Sequence, residues 1–209
     1  MPGFYERRVF PWINDLAGRL ADLRALRQEL LGQAYGRVLE IGFGSGANLP
    51  FYPAAVTEVV GVEPSSGMLD RARARLLTFS RPVHVMEADA ERLDVSSQTV
   101  DTAVSTLTLC SVRDPRSVLR ELHRVLKPGG ALLVLEHGLS PDPKVASRQH
   151  RWNGVQGVLA CGCHLNRPIA SLIEDAGFAV HDLRSRYLAG APRVLGWVTV
   201  GAARARHDA

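Results

Sequence analysis

The sequence predicts an α/β fold: a doubly wound, mostly parallel seven-stranded sheet that ends in an antiparallel hairpin. Three observations predict it. Val38–Leu49, read V-L-E-I-G-F-G-S-G-A-N-L, is a short apolar run that stops in glycines at alternate positions, Gly42, Gly44 and Gly46. After it, apolar runs alternate with helix-patterned stretches, the rhythm of βα units and a parallel sheet. Past Gly138 the rhythm breaks, and two more strand patterns joined by a turn close the chain. Residues 1–35 read as a helical lid, and residues 36–209 as the main domain with an insertion at about 139–167.

The glycine loop comes first in the argument. Glycine reaches φ > 0 and lets a ligand approach the backbone closely. A loop at the carboxyl end of a first parallel strand is where open α/β sheets bind nucleotides. Gly42, Gly44 and Ala47 also fit the dinucleotide pattern G-x-G-x-x-G/A, which on its own is weak. Glu40 argues against a pyrophosphate, because a carboxylate two residues before the turn repels it. The same carboxylate suits a cation, and S-adenosyl-L-methionine carries a sulfonium and an amino group but no phosphate. E-x-G-x-G-x-G with an acidic residue ending the next strand resembles the class I SAM-dependent methyltransferases, whose sheet is Rossmann-like. The resemblance makes Glu40, Gly42, Gly44, Gly46 and Asn48 cofactor candidates, with S-adenosyl-L-homocysteine as the product.

The totals agree with one such domain. The chain has 209 residues, 46% of them hydrophobic and 22% charged, ample for a core. No run approaches the roughly 18 apolar residues of a membrane span, and the first eight residues lack a signal-peptide pattern. The expectation is a soluble, cytoplasmic monomer or dimer. The net charge of +4 comes from scattered arginines, since Lys127 and Lys144 are the only lysines. Without a basic stripe and interleaved aromatics, no nucleic-acid partner is expected. Three cysteines with no export signal argue for thiols rather than a disulfide framework.

Along the chain, Leu16, Leu20, Leu23, Leu26, Leu30 and Leu31 recur at helical spacing, which predicts one long amphipathic helix ending near Gly32. Phe4, Tyr5, Phe10 and Trp12 precede it, either as a staple that packs the helix or as a lid over cofactor and substrate. Glu58–Glu63 is the second strand. Its last residue, Glu63, lies seventeen positions after Gly46, close to the spacing at which an acid bonds ribose hydroxyls. Pro64, Ser65 and Ser66 start a helix, Met68–Leu77, with Met68 placed beside the adenine. Val83–Glu87 is the third strand and is followed by Asp89 and Ala90. By the same resemblance Asp89 faces the adenine amino group; it is equally a good N-cap.

Val100–Thr106, the fourth strand, should lie beside the first, so Thr106 and Leu107 adjoin the methionine half of the cofactor. Asp114-Pro115 opens a helix with a cap and a proline at the first position. Val118, Leu119, Leu122, Val125 and Leu126 form its buried stripe, and Lys127-Pro128-Gly129-Gly130 ends it. Ala131–Leu135 is the fifth strand, apolar throughout as a strand buried on both faces is. A helix from Pro168 to Ala176 and strands Phe178–Leu183 and Val194–Ala202 complete the pattern.

Four stretches sharpen the resemblance: L-E-I-G-F-G-S-G-A-N-L-P-F-Y-P, T-L-T-L-C-S-V-R-D, R-V-L-K-P-G-G and L-E-H-G. With C-H-L-N-R-P near residue 163 they are similar to the methyltransferase-like 7 branch, over most of residues 36–202. The resemblance implies thiol S-methylation of small, fairly apolar molecules. Animal members of the branch begin with a hydrophobic membrane anchor, which this sequence does not show at its start. N- or O-methylation of a lipid or quinone precursor is the rival activity, and a SAM-binding module without catalysis is the rival class.

Thiols are the easiest methyl acceptors, being partly ionised at neutral pH with a pKa of about 8.5. His137, directly after the fifth strand, is the candidate base or substrate orienter, the alternative being a structural histidine; His164 is a second, weaker candidate. Tyr5, Phe10, Trp12, Cys110 and Trp152 are expected to line an aromatic acceptor pocket. Cys161-x-Cys163-His164 crowds three donors into four residues, unlike the usual zinc spacing, so no metal is expected there.

Overall fold

The structure, a computed structural model, describes Tyr5 and residues 9–18 and 20–206; Phe4 of the N-terminal aromatic group lies outside them. Five strands run parallel: β1 (Gly36–Ile41), β2 (Val56–Val62), β3 (Val83–Met86), β4 (Val100–Thr106) and β5 (Leu126–His137). β6 (Phe178–Tyr187) and β7 (Trp197–Ala205) pair antiparallel, and β7 is antiparallel to β5. The sheet order is β3-β2-β1-β4-β5-β7-β6. The strand order therefore reverses between β1 and β4, the crevice where doubly wound sheets bind ligands.

Alternate side chains of β1 go to opposite faces. Leu39 and Ile41 join a cluster with Val118, Leu119 and Leu122 of α4 (Pro115–Val125) and Ile173 of α6 (Ile169–Asp175). Val38 joins Leu23, Leu26 and Leu30 of α2 (Ala21–Leu31) on the other face. Each fully buried leucine contributes about 1.5–3 kcal/mol, and helices on both faces explain why the parallel strands read as continuous apolar runs. Glu40 sits in this strand between Gly61 of β2 and Val104 of β4.

The predicted start of α4 is present. Asp114 accepts from the Arg116 and Ser117 N–H groups at 3.0 and 3.3 Å, and Pro115 occupies the first turn.

Several boundaries differ from the sequence reading, among them the end of β6, which runs to Tyr187 rather than Leu183. The single long N-terminal helix is two helices, α1 (Phe10–Ala17) and α2, with a turn at Gly18 between them. Glycine is a poor helix former, and Leu16 of the supposed stripe is exposed. Lys127-Pro128-Gly129-Gly130 follows the end of α4 but is already part of β5. The last strand begins at Trp197, because Arg193–Gly196 forms a short helix, α7. The remaining helices are α3 (Ser66–Thr78) and α5 (Pro143–Leu159), the latter occupying most of residues 139–167. Among the described residues no helix is long and apolar enough to cross a membrane.

Candidate active site

A cavity of about 660 Å³ opens at the carboxyl ends of β1, β2 and β4. Its lining brings together Glu40, Gly42, Gly44, Asn48, Glu63, Pro64, Met68, Asp89, Ala90, Thr106 and Leu107. Gly46 is the exception among the cofactor candidates. A side chain there would meet Leu49 and Phe43 at 3.2 and 3.4 Å, so Gly46 serves packing beneath the loop.

The loop is shaped from two sides. Gly44 has φ +58°, and a Cβ there would lie 3.2 Å from the Met68 methyl. Glu63 follows β2 and clasps the loop: its Oε2 accepts the Gly44 N–H and its Oε1 the Ser65 N–H, both at 2.9 Å. Burial pushes its pKa up, against these two hydrogen bonds. Asp89 accepts the Glu91 N–H at 3.0 Å and so forms a local turn while lining the cavity.

Glu40 is 1% exposed. Asn48 Nδ2 donates to its Oε1 at 2.9 Å and the Tyr52 hydroxyl to its Oε2 at 2.6 Å. Desolvation raises its pKa from 4.5 to about 7, although the Tyr52 and Asn48 hydrogen bonds pull the other way. Asn48 Nδ2 also donates to Thr106 Oγ1 at 2.8 Å, which leaves Asn48 Oδ1 buried with no partner in the protein. A buried carbonyl oxygen without a donor is costly, and Asn48 is one of the residues that line the cavity. Four carboxylates, Glu40, Glu63, Glu87 and Asp89, line the same space. This set fits a cationic ligand that carries hydrogen-bond donors and rejects a diphosphate.

The loop after β4 is held by a residue that the sequence reading passed over. Glu136, fully buried near the end of β5, accepts from the Ser105 hydroxyl at 2.6 Å. It also accepts the N–H groups of Thr108, Leu109 and Cys110 at 3.0, 3.0 and 3.1 Å. Its signal in the sequence was an acid ending an otherwise apolar strand. Arg27 of α2 and Tyr52 were also missed; Arg27 is largely buried and lines the cavity.

The predicted acceptor pocket is only partly assembled. Phe10 lines the cavity, but Tyr5, Trp12, Cys110 and Trp152 do not. Trp12 and Trp152 are 59% and 51% exposed, on helix faces turned to solvent. Tyr5 donates its hydroxyl to the Leu159 carbonyl at 2.5 Å. Cys110 is fully buried, one residue behind Ser111 in the cavity wall. Residues that were not expected to line it, Phe43, Ser111, Val112 and Cys161, take lining positions.

His137 is not among the residues that line the cavity. It packs with two thiols: its Nδ1 is 3.5 Å from Cys163 Sγ and 4.0 Å from Cys110 Sγ, and the two sulfurs are 3.7 Å apart. His164 stands apart, its Nδ1 paired with Asn153 at 2.8 Å.

Fold and site together are those of a class I SAM-dependent methyltransferase, and S-adenosyl-L-methionine is the cofactor that the cavity fits. Residues 39–134 match the model of a methyltransferase domain. Thiol S-methyltransferase TMT1B of Rattus norvegicus is 33% identical over 90% of this chain and 74% of its own. Human thiol S-methyltransferase TMT1A is 32% identical over 85% and 75%. The chain belongs to the family of these methyltransferases. Among solved structures, a SAM-dependent methyltransferase from Mesorhizobium loti superposes with TM-score 0.64 at 19% identity, covering 88% of this chain and 97% of that one. At that identity the likeness concerns the fold alone.

Proposed function

We propose that this methyltransferase acts on the thiol of a small, apolar molecule. The observation that carries the reading is the make-up of the cavity wall beyond Thr106. Leu107, Thr108, Ser111, Val112, Arg113 and Cys161 form it with Phe10, and among the described residues no histidine lines the cavity. Arg113 is ion-paired with Glu91. A phenol needs a more effective base than a thiol does, and this part of the wall offers no histidine to serve as one, whereas a thiol is already partly ionised at neutral pH. The names of the relatives TMT1B and TMT1A support the same class of acceptor.

The cofactor supplies a methyl group bound to a sulfonium. The chain supplies position and environment. In our reading Glu63 holds the ribose, Asp89 and Met68 the adenine end, and Glu40 with Asn48 the charged methionine end. Holding the reacting atoms in line contributes about 7–11 kcal/mol when they are kept near 3–3.5 Å. Thiolate and sulfonium lose their charges as they react, so a dry wall of Leu107, Val112 and Phe10 favours the transition state. Phe10 reaches this wall from α1, which supports residues 1–35 as a lid.

Release of S-adenosyl-L-homocysteine from the purified protein, measured with matched thiols, amines and phenols, tests the reading. Turnover confined to thiols is expected. Faster turnover of an amine or phenol would overturn it, and no turnover despite cofactor binding would leave a binding module.

A further inference from the structure

Behind the cavity wall lie three donors from three separate parts of the chain. Cys110 follows β4, His137 ends β5, and Cys163 follows α5. Their ligating atoms all lie within 4.8 Å of one another. A tetrahedral zinc ion with Zn–S near 2.3 Å and Zn–N near 2.05 Å sets sulfur–sulfur edges of about 3.8 Å and sulfur–nitrogen edges of about 3.6 Å. The observed sulfur–sulfur separation is 3.7 Å, and the two sulfur–nitrogen separations are 3.5 and 4.0 Å. Two edges match, and the third closes with a shift of a few tenths of an ångström. We infer that Cys110, His137 and Cys163 bind one soft divalent cation of the zinc class, with the fourth position left to an acceptor thiolate.

The surroundings agree with this in charge and in place. Two thiolates and a neutral imidazole balance a divalent ion, so the metal-loaded site is neutral among Leu165, Ala160 and Leu195; an acceptor thiolate adds one negative charge, which methyl transfer removes. Cys110 and Cys163 are 0% and 5% exposed. A metal with three protein ligands keeps one position for an outside ligand. The cavity lies next to the site: the Ser111 hydroxyl is 3.5 Å from Cys110 Sγ, and both Ser111 and Cys161 line the cavity. Cys163 takes its partners from outside the local Cys161-Gly162-Cys163-His164 run, from residues 53 and 26 positions away.

The thiol half of the inference rests on the acceptor class proposed above; the metal half does not. On binding, the thiol gives up its proton to solvent and its sulfur bonds the metal. Sulfur's electrons then form the new S–CH₃ bond as the methyl–sulfonium bond breaks. The products are a neutral thioether, a poor ligand, and S-adenosyl-L-homocysteine.

The test uses the full chain, stripped of metal under reducing conditions and titrated with Co²⁺ alone and then with thiophenol. We expect one Co²⁺ per chain, with the visible absorption of a tetrahedral thiolate site, and a change of that spectrum when thiophenol is added. Cys163→Ala and Cys110→Ala should each weaken metal binding at least about a hundredfold, consistent with loss of a direct ligand, while cofactor binding persists as a check on folding. X-ray absorption of the zinc-loaded wild type should show two sulfurs and one nitrogen, which needs no variant. No stoichiometric metal, or binding unchanged in Cys110→Ala and Cys163→Ala, overturns the site. A spectrum unmoved by thiophenol overturns the thiolate position and leaves the metal site standing. Because metal content is read without turnover, failure of the thiol methyltransferase reading is seen separately, in the acceptor panel.

Discussion

The Tyr52 hydroxyl donates to Glu40 Oε2 at 2.6 Å, from a residue twelve positions further along the chain. That contact tunes the charge of a carboxylate that lines the cavity. Desolvation holds the Glu40 pKa at about 7, above its ordinary value, so the ligand-free folded chain holds this proton up to higher pH than the unfolded chain. The corresponding contribution to stability is present below about pH 4.5 and is lost as pH rises toward 7. Binding of a cationic cofactor runs the other way, because it requires the carboxylate. Affinity for S-adenosyl-L-methionine should therefore be about tenfold weaker at pH 6 than at pH 8. Tyr52→Phe removes a bond to the charged form and should move the midpoint upward; Glu40→Gln should flatten the profile. Calorimetric titration across this range decides it, and a pH-independent wild type would remove Glu40 from the cation's contacts.

Gly44 and Glu63 define the second expectation. Valine at Gly44 would need to adopt φ +58° and fill space 3.2 Å from Met68. Gly44→Val should abolish cofactor binding. Glu63→Ala strands the Gly44 and Ser65 N–H groups as well as any ribose hydroxyl, and should weaken binding by about 1–3 kcal/mol. Unchanged affinity in Glu63→Ala would remove the ribose assignment.

Glu136 carries the third. One carboxylate accepts three successive N–H groups, of Thr108, Leu109 and Cys110, and the Ser105 hydroxyl. Glu136→Ala leaves these donors buried without a partner and should cost about 3 kcal/mol or more in urea unfolding. Glu136→Gln keeps the shape and part of the acceptance, and should cost less. Equal, small losses in both would mean that the loop finds other acceptors.

These residues mark how far the sequence could be read. The β1 loop, Glu63 and the Asp114-Pro115 helix start were legible because each is a local pattern: glycine spacing, an acid ending a strand, a cap followed by proline. The break after α1 was hidden because leucines continue at helical spacing across Gly18. Trp12 and Trp152 looked like pocket aromatics, yet composition says nothing of which way a helix face turns. Glu136 reads as a strand-end acid, and only the approach of β4 to β5 gives it its four donors. The same holds for Cys110, His137 and Cys163, which meet only when three chain segments converge.

The last expectation concerns the acceptor. Leu107, Val112 and Phe10 wall the cavity beyond the cofactor residues. The cations that line it among the described residues are already engaged: Arg113 with Glu91, and Arg27 with the Gly18 carbonyl at 3.4 Å. Glutathione would bring two carboxylates into this space and lose their hydration with little in return. Aryl and alkyl thiols lose nothing comparable, so their kcat/KM should exceed that of glutathione by about a hundredfold or more, the effect of roughly 3 kcal/mol of unpaired desolvation. If the reacting species is the acceptor's own thiolate, the pH–rate midpoint should follow the acceptor, lower for an acidic aryl thiol than for an alkyl thiol. Steady-state rates from pH 6 to 9 with one thiol of each kind separate the cases. A common midpoint for both would assign the titration to the protein instead, and faster turnover of glutathione would sink the apolar acceptor site.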